Sequence, residues 1–208
     1  MAYSVGFWNF MAARYARQPV ADEQTYQRKL EKTQHYLRPD MDVLEFGCGT
    51  GSTALVHAPH VRSYVGTDVS DKMIEIARGK LADQAVDNLT FKVSALEQLA
   101  YPNDSVDAVL GLSILHLLED PERAIADVHR MLKPGGYFFS STACLGHTGP
   151  MLKIMVRFGR LLRLLPLVQF FTREQLKSMM VQAGFEIEFE LDPDDLSKAC
   201  FLVARKAA

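Results

Sequence analysis

Short apolar runs alternate with amphipathic segments along the first two thirds of this chain, the pattern of successive βα units around a parallel sheet. The runs have the length of buried strands and predict them over 41–46, 62–68, 89–94, 105–112 and 137–142. The segments before and between the runs follow helical patterns, which predict helices over 7–17, 22–37, 52–58, 70–82 and 120–132. The chain is therefore predicted to be an α/β protein.

The last third of the chain follows a different pattern. A helix is predicted over 172–184, with Thr172 as its N-cap and Gly184 at its end. The stretch 185–191 alternates apolar and acidic residues, which is typical of a half-exposed strand, and 199–206 is predicted as a final strand. Two strands joined by a short loop predict an antiparallel edge to the sheet.

Composition and charge describe one ordinary globular domain. The 208 residues are 48% hydrophobic and 23% charged, and the net charge of −2 gives no overall attraction to nucleic acid. Three cysteines without a Cys-x-x-Cys pair indicate neither a disulfide framework nor a metal site, and they fit a reducing cytoplasm. We expect a single cytoplasmic domain over 1–208, with a helical cap over 1–38 and a variable lid or acceptor segment over 147–171.

The segment 151–171 is long and apolar enough to be tested as a membrane span. It carries cations and Pro166, and cations are costly in a bilayer core, so a transmembrane helix is not expected. The pattern predicts instead an amphipathic helix, hinged at Gly159 and ended near Pro166, with its cations on one side: Lys153, Arg157, Arg160 and Arg163. Three interpretations stay open: a lid over an apolar acceptor, peripheral contact with anionic lipid through 151–165, or packing on the domain or a second copy.

Three glycines at alternate positions follow the first predicted strand, in the stretch VLEFGCGTGSTAL. Gly47, Gly49 and Gly51 leave the main chain bare at the edge where an open α/β sheet binds its ligand, beside the free N–H groups of a helix N-terminus. The spacing differs from the Gly-x-Gly-x-x-Gly of nicotinamide-binding proteins. A phosphate-binding P-loop is not indicated either, because no lysine follows the last glycine.

Two carboxylates flank this glycine loop. Glu45 lies two residues before it, where a carboxylate would repel a pyrophosphate but would suit a ligand with an ammonium group. Asp68 ends the second predicted strand, where a carboxylate can accept hydrogen bonds from both hydroxyls of a ribose. A nucleoside at one end, an amino group at the other and no phosphate between them describe S-adenosylmethionine.

Three stretches resemble motifs of the class I S-adenosylmethionine-dependent methyltransferases. VLEFGCGTG resembles the first motif of this family, YVGTDVSDKMIEIAR the second, and DSVDAVLGLSILHLLEDPERAIADVHRMLKPGGYFFSS the fourth to sixth. The resemblance runs from about Leu37 to Thr142. It implies a Rossmann-like seven-stranded sheet in the order 3-2-1-4-5-7-6, with strand 7 antiparallel and helices on both faces.

The resemblance also implies roles for matching positions around S-adenosylmethionine and its product, S-adenosylhomocysteine. The glycines would pass under the cofactor, Glu45 would face its ammonium group and Asp68 would hold its ribose. Other positions would contact the adenine, the methionyl group or the closed site: Val69, Met73, Ala95, Leu96, Leu112 and Tyr15. The family often has an acid where this chain has Ser94, to bind the adenine amino group, so this chain departs from the family pattern at that contact.

The chemistry expected from the resemblance is an in-line displacement, in which the protein mainly aligns the nucleophile with the methyl group. His116 follows the fourth strand and is the candidate catalytic base, although packing or bracing of a loop would also explain a histidine there.

A small molecule, apolar or aromatic, is the expected acceptor. Nucleic acid is not expected, since the strand-four loop reads GLSILH and lacks the Pro-Pro pattern of base methylation. A monomer or a homodimer is expected. Two alternatives stay open: a cofactor-binding regulatory or partner subunit without turnover and, less favoured, an NAD-dependent oxidoreductase.

Overall fold

The computed structural model describes residues 2–162, 165–191 and 199–208. Within these residues one sheet holds seven strands, in the order β3-β2-β1-β4-β5-β7-β6. The strands are β1 (Asp42–Phe46), β2 (Ser63–Asp68), β3 (Leu89–Val93), β4 (Val106–Leu112), β5 (Leu132–Ala143), β6 (Phe185–Glu190) and β7 (Ala199–Lys206). The first five pair in parallel, whereas β7 is antiparallel to both β5 and β6. The predicted strand order and the antiparallel seventh strand are confirmed.

Seven α-helices belong to the described residues and connect or precede these strands. They are α1 (Ala2–Tyr15), α2 (Glu23–Tyr36), α3 (Ser52–His57), α4 (Asp71–Ala82), α5 (Pro121–Met131), α6 (Pro150–Leu161) and α7 (Arg173–Gln182). Their starts follow the sequence signals: the hydroxyl of Ser70 accepts from Met73 N at 3.1 Å to cap α4, and Thr172 caps α7 in a capping box.

The sheet is buried on both faces because successive side chains of a strand point to opposite sides. Leu44 of β1 and Phe138 of β5 pack in one apolar cluster, and Phe139 of β5 packs in the other. Phe201 and Leu202 of β7 divide in the same way. Because both faces of the sheet are covered, the carboxyl ends of the parallel strands are the part of the sheet that a ligand can reach.

The fifth strand is longer than the predicted 137–142, because the K-P-G-G stretch before it lies inside β5. β5 already pairs at Leu132 with Val106, and the register then shifts before Tyr137 pairs with Ala108. The extra residues form an irregularity in the strand. A Cβ on Gly136 would lie 2.9 Å from the carbonyl oxygen of Asp107, so the close approach of β4 requires glycine there.

The predicted helix ending near Pro166 is shorter than expected. α6 ends at Leu161, and the chain folds back so that Leu165 N donates to the carbonyl oxygen of Gly159 at 3.3 Å. Gly159 is therefore the place where the returning chain packs, since a Cβ there would lie 2.7 Å from a methyl of Leu165. Arg163 and the predicted loop 192–198 lie outside the described residues.

No helix among the described residues has the length and hydropathy needed to cross a bilayer.

Candidate functional site

A cavity of about 660 Å³ opens at the carboxyl edge of the parallel strands. Its walls come from five separate parts of the chain, represented by Trp8, Gly49, Asp68, Ala95 and Leu112. An open α/β sheet binds ligands at this edge, beside the point where the strand order reverses between β1 and β4. The volume is that of a pocket for a small ligand.

The glycine loop after β1 has three residues in the left-handed region, with φ of +67° at Gly47, +53° at Gly49 and +74° at Gly51. Each glycine has a different neighbourhood. A Cβ on Gly47 would lie 2.6 Å from Ile114, whereas one on Gly49 would meet only Tyr15 at 3.7 Å. Gly49 is thus the glycine whose bare face a ligand can approach closely.

Gly51 is bare for a structural reason. A Cβ there would lie 2.5 Å from the ring of Phe91 on β3 and 2.9 Å from Cβ of Ala77 on α4. Among the described residues, Gly51 is also absent from the cavity wall. Its assignment as a cofactor-binding residue stays a prediction, and packing under the loop is the role that the geometry displays.

Asp68 holds the glycine loop to the start of α4. Its carboxylate accepts from Gly49 N at 3.0 Å and from Ser70 N at 2.8 Å. Burial raises the pKa of Asp68, and the backbone donors at Ser70, Gly49 and Val69 oppose that shift. A carboxylate has about four lone-pair sites, so an Asp68 that lines the cavity can accept further hydrogen bonds there.

Glu45 lies beneath the loop, on β1, with only 2% of its surface exposed. The hydroxyl of Tyr64 donates to its carboxylate at 2.8 Å. Burial raises the pKa of Glu45 to about 7, with the hydrogen bond from Tyr64 opposing and the charge of Asp68 adding to the shift. Glu45 is not among the described residues that line the cavity. Any effect of its charge on a ligand therefore acts through the loop or through water.

One side of the cavity is apolar and comes from the ends of β2 and β3. The predicted adenine contacts Val69, Met73, Ala95 and Leu96 all lie in this wall. Ser94 lines it too, but its hydroxyl donates to the carbonyl oxygen of Ala95 at 3.1 Å.

Glu97 lies in the same wall and was missed by the sequence reasoning. A glutamate three residues past the position where the family often has its acid is the signal that could have found it. Its carboxylate is a candidate hydrogen-bond acceptor for an amino group on a purine.

Helix α1 covers the glycine loop. Tyr15 and Trp8 line the cavity, and their rings meet edge to face at 6.4 Å between centroids. Asn9 ties this helix to α4, because its amide donates to Asp71 at 2.5 Å and accepts from the Ser70 hydroxyl at 2.6 Å. Sequence reasoning missed Asn9, although a lone amide within an apolar helix was a visible signal.

The opposite wall follows β4 and contains Leu112, Ser113, Ile114 and His116. Ser113 has φ of +58° and donates its N–H to the carbonyl oxygen of Ser141 at 2.6 Å, which joins this wall to β5. The carbonyl oxygen of His116 accepts from Gln169 N at 2.7 Å. Its imidazole Nδ1 is buried and has no hydrogen-bond partner among the described residues, and burial lowers the pKa of His116.

Lys29 was also missed by the sequence reasoning. It lies on α2, half-buried, and its ammonium donates to Oγ of Ser141 at 3.1 Å. Burial lowers the pKa of Lys29. Ser141 pairs in register with Leu112 of the cavity wall, so this cation lies one strand away from the predicted acceptor side. Its neighbour Leu30 is the one aliphatic residue of α2, and this was the available sequence signal for the inward face of the helix.

The structure thus brings ten of the predicted site residues into one cavity wall. These are Tyr15, Gly47, Gly49, Asp68, Val69, Met73, Ala95, Leu96, Leu112 and His116. Glu45 and Gly51 support the wall from below.

Comparison with known proteins identifies the family of this chain. The profile of the methyltransferase domain family matches residues 13–189. An uncharacterized methyltransferase of Bacillus subtilis, YcgJ, is 34% identical over 101 residues, covering 49% of this chain and 40% of that protein. Its crystal structure aligns with a TM-score of 0.72 over 88% of this chain and 99% of the other, at 19% identity.

One further relative and one protein of similar fold carry more specific names. A demethylmenaquinone methyltransferase of Symbiobacterium thermophilum is 28% identical over 177 residues, covering 79% of this chain and 68% of that protein. A phosphoethanolamine N-methyltransferase of Haemonchus contortus, solved with S-adenosylhomocysteine, aligns with a TM-score of 0.72 at 16% identity, over 88% of this chain and 53% of the other.

The fold, the glycine loop and the matched profile together define a class I S-adenosylmethionine-dependent methyltransferase. The chain belongs to the methyltransferase domain family, whose profile covers all of β1 to β5 and most of the elements on either side.

The cavity suits the cofactor of this family. Gly49 leaves room against the main chain, Asp68 keeps acceptor capacity, and Met73, Ala95 and Leu96 give the wall apolar surface for a purine. No lysine follows the last glycine of the loop in the sequence, as a P-loop requires, and the ammonium of Lys80 from α4 donates to the hydroxyls of Thr50 and Ser52.

Proposed function

We propose that this protein transfers a methyl group from S-adenosylmethionine to a small apolar or aromatic acceptor. The observation that carries the proposal is one cavity whose walls include both Asp68 with the glycine loop and the Leu112–His116 stretch after β4. A cofactor held by the first wall and an acceptor held by the second would meet inside a single enclosed space.

The bound cofactor would supply the electrophilic methyl group on its sulfonium. Asp68 would accept from the ribose hydroxyls, while Gly49 would allow the ligand to lie against the main chain. Ile114 and Leu117 would exclude water from the reacting side of the cavity. His116, neutral because burial lowers its pKa, would accept a proton from an acceptor that must lose one.

The walls favour an acceptor with an apolar body. Trp8, Leu112, Ile114 and Leu117 present aromatic and aliphatic surface to the cavity. The Symbiobacterium relative is named for demethylmenaquinone, and a quinol ring of that kind would fit this surface and offer a nucleophile.

The test has two stages, cofactor binding and turnover. Calorimetry with S-adenosylmethionine, S-adenosylhomocysteine and NAD is expected to detect the first two ligands and not the third. Release of S-adenosylhomocysteine is then measured with phenols, quinols and aliphatic amines as acceptors. Binding of NAD alone would contradict the family's cofactor in this site. Cofactor binding without turnover on any acceptor would favour the regulatory subunit.

Asp68→Ala is expected to weaken binding of S-adenosylhomocysteine by about 1–3 kcal/mol, because charge-assisted hydrogen bonds to the ribose are lost. The variant should also be less stable, since Gly49 N and Ser70 N lose their acceptor. Calorimetry on the folded fraction separates the two effects. Asp83→Asn, at the far end of α4, is the matched control and should bind normally. Unchanged affinity in Asp68→Ala would remove the ribose assignment.

His116→Asn is expected to lower turnover by about 10²-fold or more if the acceptor must be deprotonated, while cofactor affinity stays unchanged. The pH profile of turnover should also lose its acidic limb, whose midpoint in the wild type should lie below the ordinary histidine pKa of 6.5. His60→Asn, at the opposite edge of the sheet, is the control. A variant with a wild-type pH profile would assign His116 to packing alone.

A further inference from the structure

Helix α6 presents an apolar face outward. Six large side chains at i, i+3, i+4, i+7, i+10 and i+11 lie on one side of it: Met151, Ile154, Met155, Phe158, Leu161 and Leu162. Met151 is 77% exposed, Phe158 60% and Leu161 75%. Within the part of the chain that the structure describes, α6 has no buried side chain at all. A contiguous exposed apolar face of this kind marks an interaction surface.

The charge around this face has one sign. The sequence has no aspartate or glutamate from 128 to 173, although the whole chain has a net charge of −2. Arg157 and Arg160 are exposed on α6, and Arg163 follows in the sequence. Lys153 is turned back toward the domain, where its ammonium donates to the carbonyl oxygen of Gly146 at 2.8 Å. Apolar and cationic groups thus lie together on an outer surface.

The position of α6 relates it to the cavity. The helix begins at Pro150, shortly after β5 ends at Ala143, at the same carboxyl edge of the sheet where the cavity opens. The chain that returns from α6 reaches the cavity wall, because Gln169 N donates to the carbonyl oxygen of His116. A surface that binds α6 would therefore lie beside the mouth of the site.

We infer that α6 docks on an anionic phospholipid surface. Its apolar face would enter the interface between headgroups and acyl chains, while Arg157 and Arg160 would pair with the anionic headgroups. A second copy of the chain fits this face less well. A two-fold contact would bring identical cationic helices together, and the acid-free stretch 128–173 provides no carboxylate to neutralise them.

Vesicle sedimentation tests this inference on the full chain, without any activity assay. The probes are phosphatidylcholine vesicles with and without about 30% phosphatidylglycerol, at salt concentrations of about 0.1 and about 0.5 M. The wild type is expected to bind the anionic vesicles at least about tenfold more tightly than the neutral ones. This preference should fall at high salt, because salt screens the attraction between exposed charges.

Two double variants separate the apolar and the cationic contributions. Phe158→Ser with Leu161→Ser, and Arg157→Gln with Arg160→Gln, should each weaken partitioning about tenfold or more. The matched controls are Val181→Ser, an apolar residue 58% exposed on α7, and Arg38→Gln, a cation after α2. Both controls should partition as the wild type does. Circular dichroism confirms that each variant is folded.

Three results would overturn the inference. Equal binding to neutral and anionic vesicles would remove the electrostatic part, and wild-type partitioning of both double variants would move the contact away from α6. A stable dimer in light scattering that dissociates in the Phe158→Ser, Leu161→Ser variant would assign the face to a second copy. Because none of these readouts involves methyl transfer, they are independent of the proposed activity.

Discussion

Gly51→Ala is expected to lower the free energy of unfolding by about 2–5 kcal/mol, measured by urea denaturation at neutral pH. Two costs add. An alanine in the left-handed region costs about 1–2 kcal/mol, and φ of Gly51 is +74°. The new methyl would also lie 2.5 Å from Phe91 and 2.9 Å from Ala77, and overpacking of a core typically costs about 1–3 kcal/mol.

Two other glycines provide matched controls for this prediction. Gly49→Ala has the strained φ without the clash, so it should cost only about 1–2 kcal/mol of stability. Gly79→Ala, inside α4 with open space around it, should stabilise the protein by up to about 1 kcal/mol. If Gly51→Ala were no worse than Gly49→Ala, the loop would not rest on β3 and α4 as described.

Glu45→Gln is expected to have opposite effects on stability and on cofactor binding. The pKa of Glu45 is about 7 in the folded protein against an ordinary 4.5, so the folded state holds its proton more tightly. The free energy of unfolding is then highest below pH 4.5, falls as the pH rises to 7 and stays lower above it. A shift of this size corresponds to about 3 kcal/mol.

Glutamine removes the buried charge but adds an amide that needs acceptors, so the expected gain above pH 8 is about 1–3 kcal/mol. Near pH 4 the gain should vanish. Urea denaturation at both pH values measures the difference. Glu186→Gln, exposed on β6, should leave stability unchanged at either pH. If the difference in free energy of unfolding between Glu45→Gln and the wild type were the same at both pH values, the pKa of Glu45 would not be raised by folding.

The same substitution should weaken cofactor binding. A negative charge beneath the glycine loop attracts the ligand's ammonium group. Because burial raises the pKa of Glu45 to about 7, this charge forms only as the pH approaches 7. Affinity of the wild type for S-adenosylhomocysteine should therefore rise with pH up to about 7 and then level off. In Glu45→Gln the affinity should be lower and this rise should disappear. Calorimetry across pH 5.5 to about 8.5 follows both changes.

The part of the fold that the sequence predicted well depends on local signals. Apolar runs such as Asp42–Phe46 have the length of buried strands, and Ser70 and Thr172 are strong helix caps. The order of the sheet followed from the resemblance of the motifs. Asp68 and the glycine loop could be located because their chemistry is tied to strand ends.

The elements that the sequence predicted poorly depend on contacts distant along the chain or on the returning chain. Asn9 bonds Ser70 across 61 positions, and Lys29 reaches Ser141 across 112, so neither role is visible in a local pattern. The end of α6 was placed near Pro166, but the return of Leu165 onto Gly159 ends the helix earlier. The proline does not set the end of this helix, because the chain turns back onto Gly159 before reaching it.

The glycine loop keeps its shape through bonds made entirely within the protein. Cys48 N donates to the carbonyl oxygen of Thr67 at 2.9 Å, Gly51 N to that of Cys48 at 3.0 Å, and Gly49 N to Asp68. The loop therefore loses its conformational entropy when the chain folds, and binding of a ligand does not have to order it. Association can then retain more of its contact energy as affinity, which is the advantage of a preorganised receptor.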